Sequence, residues 1–271
     1  MSDKPQLGDD KHAQADQLES VPTSVIFEAI RRQGEHELSR GFSALWWSGV
    51  AAGLAISTSV LCKGFLVAAL PDADWTKAVS NLGYSVGFLI VILGRLQLFT
   101  ENTITPILPL FISPTGESFA RTGRLWSIVF AANMVGCFLA AAVLVAGNIV
   151  PHAQFEGILE VARHYAEASA MEHLTWGVPA GFLIASLVWI LPRMEGAGEV
   201  LAILVLTYMI GLGGLSHVVA GSTELFILLL RNEITFVHAV FGGILPAFIG
   251  NIIGGTGIFA ALAYAQVRQE L

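Results

Sequence analysis

The residue best placed to do chemistry is His217, which ends the run Gly213-Gly214-Leu215-Ser216-His217. Imidazole titrates near neutral pH, so His217 can offer a hydrogen bond or a proton to a passing anion. The run interrupts a long apolar stretch, Val200–Leu230, as Thr100-Glu101-Asn102 interrupts a second one, Val79–Ile112. Ionisable groups inside such stretches are costly and need a partner or a function. Thr100 brings a hydroxyl that can line a passage or cap a helix. Glu101 and Glu224 read as carboxylates opening the second half of each interrupted helix, where free N–H groups and the dipole favour negative charge. Pairing of these carboxylates with Arg95 is the alternative. His217 can instead be a hydrogen-bonded packing residue, but its position at the helix break favours a functional role. Asn133 and Asn251 suit the work of holding broken backbone in place, and Lys63 reads as a lysine snorkelling to the membrane surface. Cys62 and Cys137 lie in apolar runs and read as packing residues.

The elements that must carry these groups follow from composition. Hydrophobic residues make up 54% of the 271 and charged residues only 13%. Thirteen of the 35 charged side chains fall in the first 42 residues, so the remainder cannot cover a water-exposed surface. The chain reads as an all-α membrane protein. A spanning helix needs roughly 20 apolar residues, and six regions qualify: Ala44–Leu70, Val79–Ile112, Leu125–Val150, Leu174–Leu191, Val200–Leu230 and Val237–Tyr264. The second and fifth are expected to be broken helices, and Pro246 predicts a kink in the sixth. The net charge of −7 gives no footprint for nucleic acid. No metal-ligand cluster, cofactor motif or nucleophile motif is found, so neither an enzyme nor a metal or cofactor site is expected.

Lysine and arginine set the expected orientation. With the N-terminus inside, nine flank the spans on the cytoplasmic side and three (Lys77, Arg163, Arg231) on the outer side. Both termini are therefore expected in the cytoplasm. The acidic, polar N-terminus shows no cleavable signal. Residues 1–42 read as a cytoplasmic tail whose stretch Thr23–Arg40 can form an interfacial helix or a plain helical lead-in. Residues 43–265 form the six-span domain and 266–271 a cytoplasmic tail. The outer segment Pro151–His173 can hold a short helix.

The two halves echo one another. Gly49-Val50-Ala51-Ala52-Gly53 in the first span matches Gly177-Val178-Pro179-Ala180-Gly181 in the fourth, and Asn133 followed by Gly136 matches Asn251 followed by Gly254. Each half has three spans, so the second copy must enter from the opposite side. That is an inverted 3+3 repeat, in which interrupted helices meet near mid-depth. Phe99–Thr103 and Gly213–Ala220 are the expected pore.

With these elements placed, residues 25–265 resemble the formate/nitrite transporter family. The resemblance rests on Leu98-Phe99-Thr100, Ser216-His217 and Gly250-Asn251-Ile252-Ile253-Gly254-Gly255. It implies an aquaporin-like fold, a pore in each protomer of a homopentamer, and passage of small weak-acid anions such as formate, nitrite, lactate or hydrosulfide, often with a proton. A bacterial inner-membrane location follows. By position, the resemblance implies a central site of His217, Thr100, Ser216 and Asn251, and a constriction of Leu98 and Phe99. Phe88 and Ile210 join that constriction by counting along the helices, and Glu172 matches a family carboxylate. Arg95, Glu101, Glu224 and Glu172 are grouped as a possible charge network. The sequence also departs from the family. The outer-segment lysine before span four is missing, its counted position falling near His164-Tyr165. Ser216 stands where the histidine's neighbour is usually acidic, and Gly181 stands where span four usually has asparagine. Arg95, His164 or His173 are the candidates to supply positive charge instead. Against the anion channel or proton-linked carrier stand a pore for neutral solutes and a structural or regulatory membrane subunit without transport.

Overall fold

A computed structural model describes residues 21–270, and every regular element among them is helical. In chain order they are α1 (Thr23–Ser39), α2 (Phe42–Ala69), α3 (Thr76–Leu93, with a tight turn at Asn81–Tyr84), α4 (Ile107–Ile112), α5 (Gly116–Gly147), α6 (His152–Ala166), α7 (Ala170–Ile190), α8 (Ala197–Leu212), α9 (Val218–Leu230) and α10 (His238–Val267). Helices α2, α3, α5, α7 and α10 are long and apolar enough to cross a membrane, while the shorter α8 and α9 together make another passage. Between lipid and helix there is no hydrophobic gain, so association relies on close packing of small residues. The pattern Gly49/Gly53 on α2 against Gly136 on α5 recurs as Gly177/Gly181 on α7 against Gly250/Gly254 on α10. A Cβ at Gly53 would lie 2.3 Å from the Asn133 carbonyl oxygen, and one at Gly181 would lie 2.2 Å from that of Asn251. Gly181 is thus a crossing point with no room for the asparagine side chain expected in the family.

Helix ends follow local chemistry. The Thr115 hydroxyl accepts the Ser118 N–H at 3.2 Å and starts α5 in the polar segment well before Leu125, while Asn148 in the left-handed region (φ 46°) closes it. Ser169 and Glu172 form a reciprocal capping box at the start of α7. In α10, wide turns at His238–Ile244 and Ile253–Ala260 flank Pro246, whose missing N–H is accommodated without ending the helix.

Both interrupted helices stop in the same manner. Gly94 and Gly213 share φ −75° and ψ −5°, and the next residues, Arg95 (φ 50°) and Gly214 (φ 61°), are left-handed. Leu96 N–H then donates to the Val91 carbonyl at 2.9 Å, and Leu215 N–H to that of Ile210 at 3.0 Å. The breaks differ from expectation in extent. The first runs from Gly94 to Pro106, with one tight turn at Glu101–Thr103, and the second is confined to Gly213–His217. Neither Glu101 nor Glu224 opens a second half-helix: α4 starts at Ile107, and Glu224 lies within α9.

Helix α1 packs beneath the first break. Ile26, Phe27 and Ile30 are buried in one cluster with Ile104, Ile107 and Leu108. Gln266 Nε2 donates to Thr23 Oγ1 at 3.5 Å, so both ends of the described chain share one face. Helix α6 lies at the opposite, far face, against α2 through Gly157 and Gly64.

Candidate functional site

Irregular backbone inside a membrane protein needs internal hydrogen-bond partners. One asparagine serves each break. Asn133 Oδ1 accepts the Phe99 N–H at 2.9 Å, while its Nδ2 donates to the carbonyls of Gly49 (2.8 Å) and Gln97 (2.9 Å). Asn251 Oδ1 accepts the Val218 N–H at 2.9 Å, and its Nδ2 donates to Gly177 (2.9 Å) and Ser216 (2.8 Å). The inverted repeat therefore extends to individual hydrogen bonds.

The two breaks meet at His217. It is the N-cap of α9, its Nδ1 accepting the Ala220 N–H at 3.2 Å. That bond fixes Nδ1 as the unprotonated nitrogen. The proton is then assigned to Nε2, which lies 2.7 Å from Thr100 Oγ1 on the other break. The Phe88 ring packs edge-on at 4.9 Å. His217, Thr100, Phe88, Ser216, Asn251, Leu98, Phe99 and Ile210 are all buried. Phe99 sits in an aromatic cluster with Trp126, Phe130 and Phe248, its ring 4.8 Å from that of Phe248.

A cavity of about 400 Å³ opens from the far face and reaches Ile210 and Ser216. Lys63, Tyr84, Tyr165, His173 and Glu224 line it. His173 Nδ1 meets Ser216 Oγ at 2.9 Å, and Tyr165 stacks obliquely on the His173 ring at 4.6 Å. Tyr165 also lies against α9, where a Cβ at Gly221 would fall 2.1 Å from its hydroxyl. Lys63, expected to snorkel to the outer surface, is half-buried in the wall of this cavity, its Nζ 6.0 Å from the Tyr84 ring centre. The i, i+4, i+7 spacing of Ile56, Val60 and Lys63, which sets Lys63 on the same helical face as the buried Ile56 and Val60, is the sequence signal that would have placed it there. His217, Gly221 and Glu224 likewise share one face of α9.

Arg95, Glu101, Glu224 and Glu172 do not form one network. Among the described residues no ion pair within 4.0 Å joins any two of them. Arg95 is exposed at the end of α3, and Glu172 is spent on the Ser169 capping box, accepting the Ser169 N–H at 2.7 Å. Glu101 keeps one buried carboxylate oxygen, Oε1, without a hydrogen-bond partner among the described residues. His164 lies exposed at the cavity rim beside Glu167 at 3.5 Å, while Tyr165 faces the interior of the cavity. On the termini face, Gln97 was not singled out in the sequence. Its Nε2 donates to Glu37 Oε2 at 2.6 Å and its Oε1 accepts from Asn102 at 3.1 Å, tying α1 to the first break.

Two broken helices related by inversion, meeting at one buried histidine under a vestibule, define a membrane protein of the pore-forming inverted-repeat class. A formate/nitrite transporter family model matches residues 24–265, and the chain belongs to that family. It is 36% identical to the inner membrane protein YfdC of Escherichia coli (strain K12), over 91% of this chain and 79% of that protein. It is 24% identical to the formate channel FocA of Haemophilus influenzae, over 78% and 84%. Among solved structures, an FNT family ion channel aligns with a TM-score of 0.78 at 19% identity, covering 90% of this chain and 99% of that one. A pentameric formate channel with formate bound aligns at 0.71 and 18% identity, covering 85% and 100%.

Proposed function

We propose that this protein is a homopentameric, multi-pass inner-membrane channel or proton-linked carrier for small monovalent weak-acid anions. The observation that carries this reading is the contact between the two breaks, Thr100 Oγ1 to His217 Nε2 at 2.7 Å. It puts a hydroxyl and an imidazole N–H at mid-depth between apolar walls that include Phe88, Leu98 and Ile210. The excess of Lys and Arg on the termini face orients that face to the cytoplasm, which makes the cavity the outer vestibule. Moving a charged anion past buried apolar side chains is expensive, and protonation before the constriction removes that cost. Flux is therefore expected to quicken as external pH falls. Proteoliposomes carrying the full chain, offered formate, nitrite, acetate and lactate at acidic and neutral external pH, test this. Flux no greater than that of empty liposomes for all four would overturn it. Dependence of the flux on membrane potential distinguishes passage of the anion from passage of its neutral acid.

A further inference from the structure

The cavity holds two buried polar groups that the protein's own hydrogen bonding leaves open. Glu224 is 4% exposed, and among the described residues no hydrogen bond and no ion pair within 4.0 Å engages its carboxyl. His173 is 1% exposed, and among the described residues its Nε2 has no hydrogen-bond partner. Lys63 lines the same space. His217, one helical face further in, is differently placed. To give up a proton as an acid it must first be an imidazolium, and its Nδ1–H would then point at the Ala220 N–H that Nδ1 now accepts at 3.2 Å. Protonation there costs the cap of α9.

We propose that Glu224 is the proton donor of the pathway, passing its proton to a weak-acid oxyanion held in the cavity by Lys63 and the open Nε2 of His173. This rests on the transport reading above. In the step, the Glu224 O–H bond breaks and an O–H bond forms on the anion. No carbon bond changes and nothing is oxidised. The carboxylate left behind is balanced by the Lys63 ammonium and takes its next proton from water of the outer solution at the cavity mouth. Transfer between oxygen acids of similar strength is efficient, so the preferred class is monocarboxylates rather than anions of strong acids such as nitrate. The groups that face Glu224 are Lys63 on α2, Lys77 and Tyr84 on α3, Tyr165 on α6 and His173 on α7. His164, Glu167 and Glu172 lie at the rim, already engaged at the surface.

The test uses the full chain in proteoliposomes, with formate and nitrate as probes at external pH of about 5.5 and about 7.5. Wild type should carry formate faster at the lower pH and pass little nitrate. Glu224→Gln, which keeps the shape, should lose roughly tenfold in formate flux at the lower pH and flatten the pH response. Glu224→Asp should restore the response at reduced flux. Lys63→Met should raise the KM for formate. A wild-type pH response in Glu224→Gln would overturn the assignment alone. So would a flat response in both Glu224 variants, which would mark a structural role. Wild type without flux of formate, nitrite, acetate or lactate would instead remove the transport reading beneath it.

Discussion

The side chains that organise this site each do one definable thing. Asn133 and Asn251 supply one acceptor and two donor bonds to backbone that has left the helix. His217 caps α9 with one nitrogen and reaches Thr100 with the other. Arg95 is the exception that invites a test. It occupies a left-handed position (φ 50°) where its repeat mate is Gly214, and a non-glycine residue there costs about 1–2 kcal/mol. Strain kept at the mouth of a break points to use, and a cation exposed on the termini face can draw anions to the mouth on that face. Arg95→Gly relieves the strain but frees the unfolded chain by about 0.4–1 kcal/mol, for a net gain of about 0.5–1 kcal/mol. We expect a slightly higher melting temperature in detergent together with slower flux of anion supplied from the termini face. A lower melting temperature would show that Arg95 is not strained there, and unaltered flux that it is not used.

At the level of elements, apolar length and polar interruptions were enough to read six passages, their inverted order and the sites of both breaks. The repeat of glycines and asparagines was legible because each serves one backbone crossing. What could not be read has a common cause. The first break begins at Gly94 although Leu96, Leu98 and Phe99 are apolar, because its backbone is satisfied by Asn133, far along the chain. The vestibule was missed as a unit because its walls come from α2, α3, α6, α7, α8 and α9. One inter-element clamp outside the membrane can be tested directly. Arg163, on α6, donates to Glu233 at 2.7 and 3.1 Å, and Arg231 donates at 2.7 Å while covering the Phe155 ring at 5.5 Å. The hydrogen bonds from Arg163 and Arg231 hold the Glu233 carboxyl down at about 2, against an ordinary 4.5. A depressed carboxylate stabilises the folded state above its unfolded value, and that stability is lost as pH falls from about 4.5 through about 2. Glu233→Gln should therefore melt below wild type at neutral pH, by no more than about 1 kcal/mol for partly exposed pairs. The two proteins should converge in acid. A gap that stays constant down to about pH 2 would mean that the carboxylate charge is not what fastens α6 to this loop.

Across the whole molecule, the decisive fact is that both breaks belong to one chain. Thr100 and His217 meet within a single chain, and that chain by itself supplies walls around the vestibule. The flanks instead carry exposed apolar side chains such as Leu201, Val205, Phe241 and Leu262, suited to lipid or to neighbouring copies. In the pentamer we infer, each subunit then conducts independently, and the subunits share only their flanks. Ala168, partly exposed in the vestibule wall, allows this to be tested after assembly. In a Cys62→Ser background, Ala168→Cys can be labelled with increasing amounts of a bulky maleimide added from the far face, which fills the vestibule of the labelled subunits only. Flux should fall in direct proportion to the labelled fraction, because each filled vestibule silences one passage. A passage shared by all subunits would be blocked by the first label on any of them, so its flux would collapse as roughly the fifth power of the unlabelled fraction. That steep curve would contradict a pore built from the inverted halves of one chain.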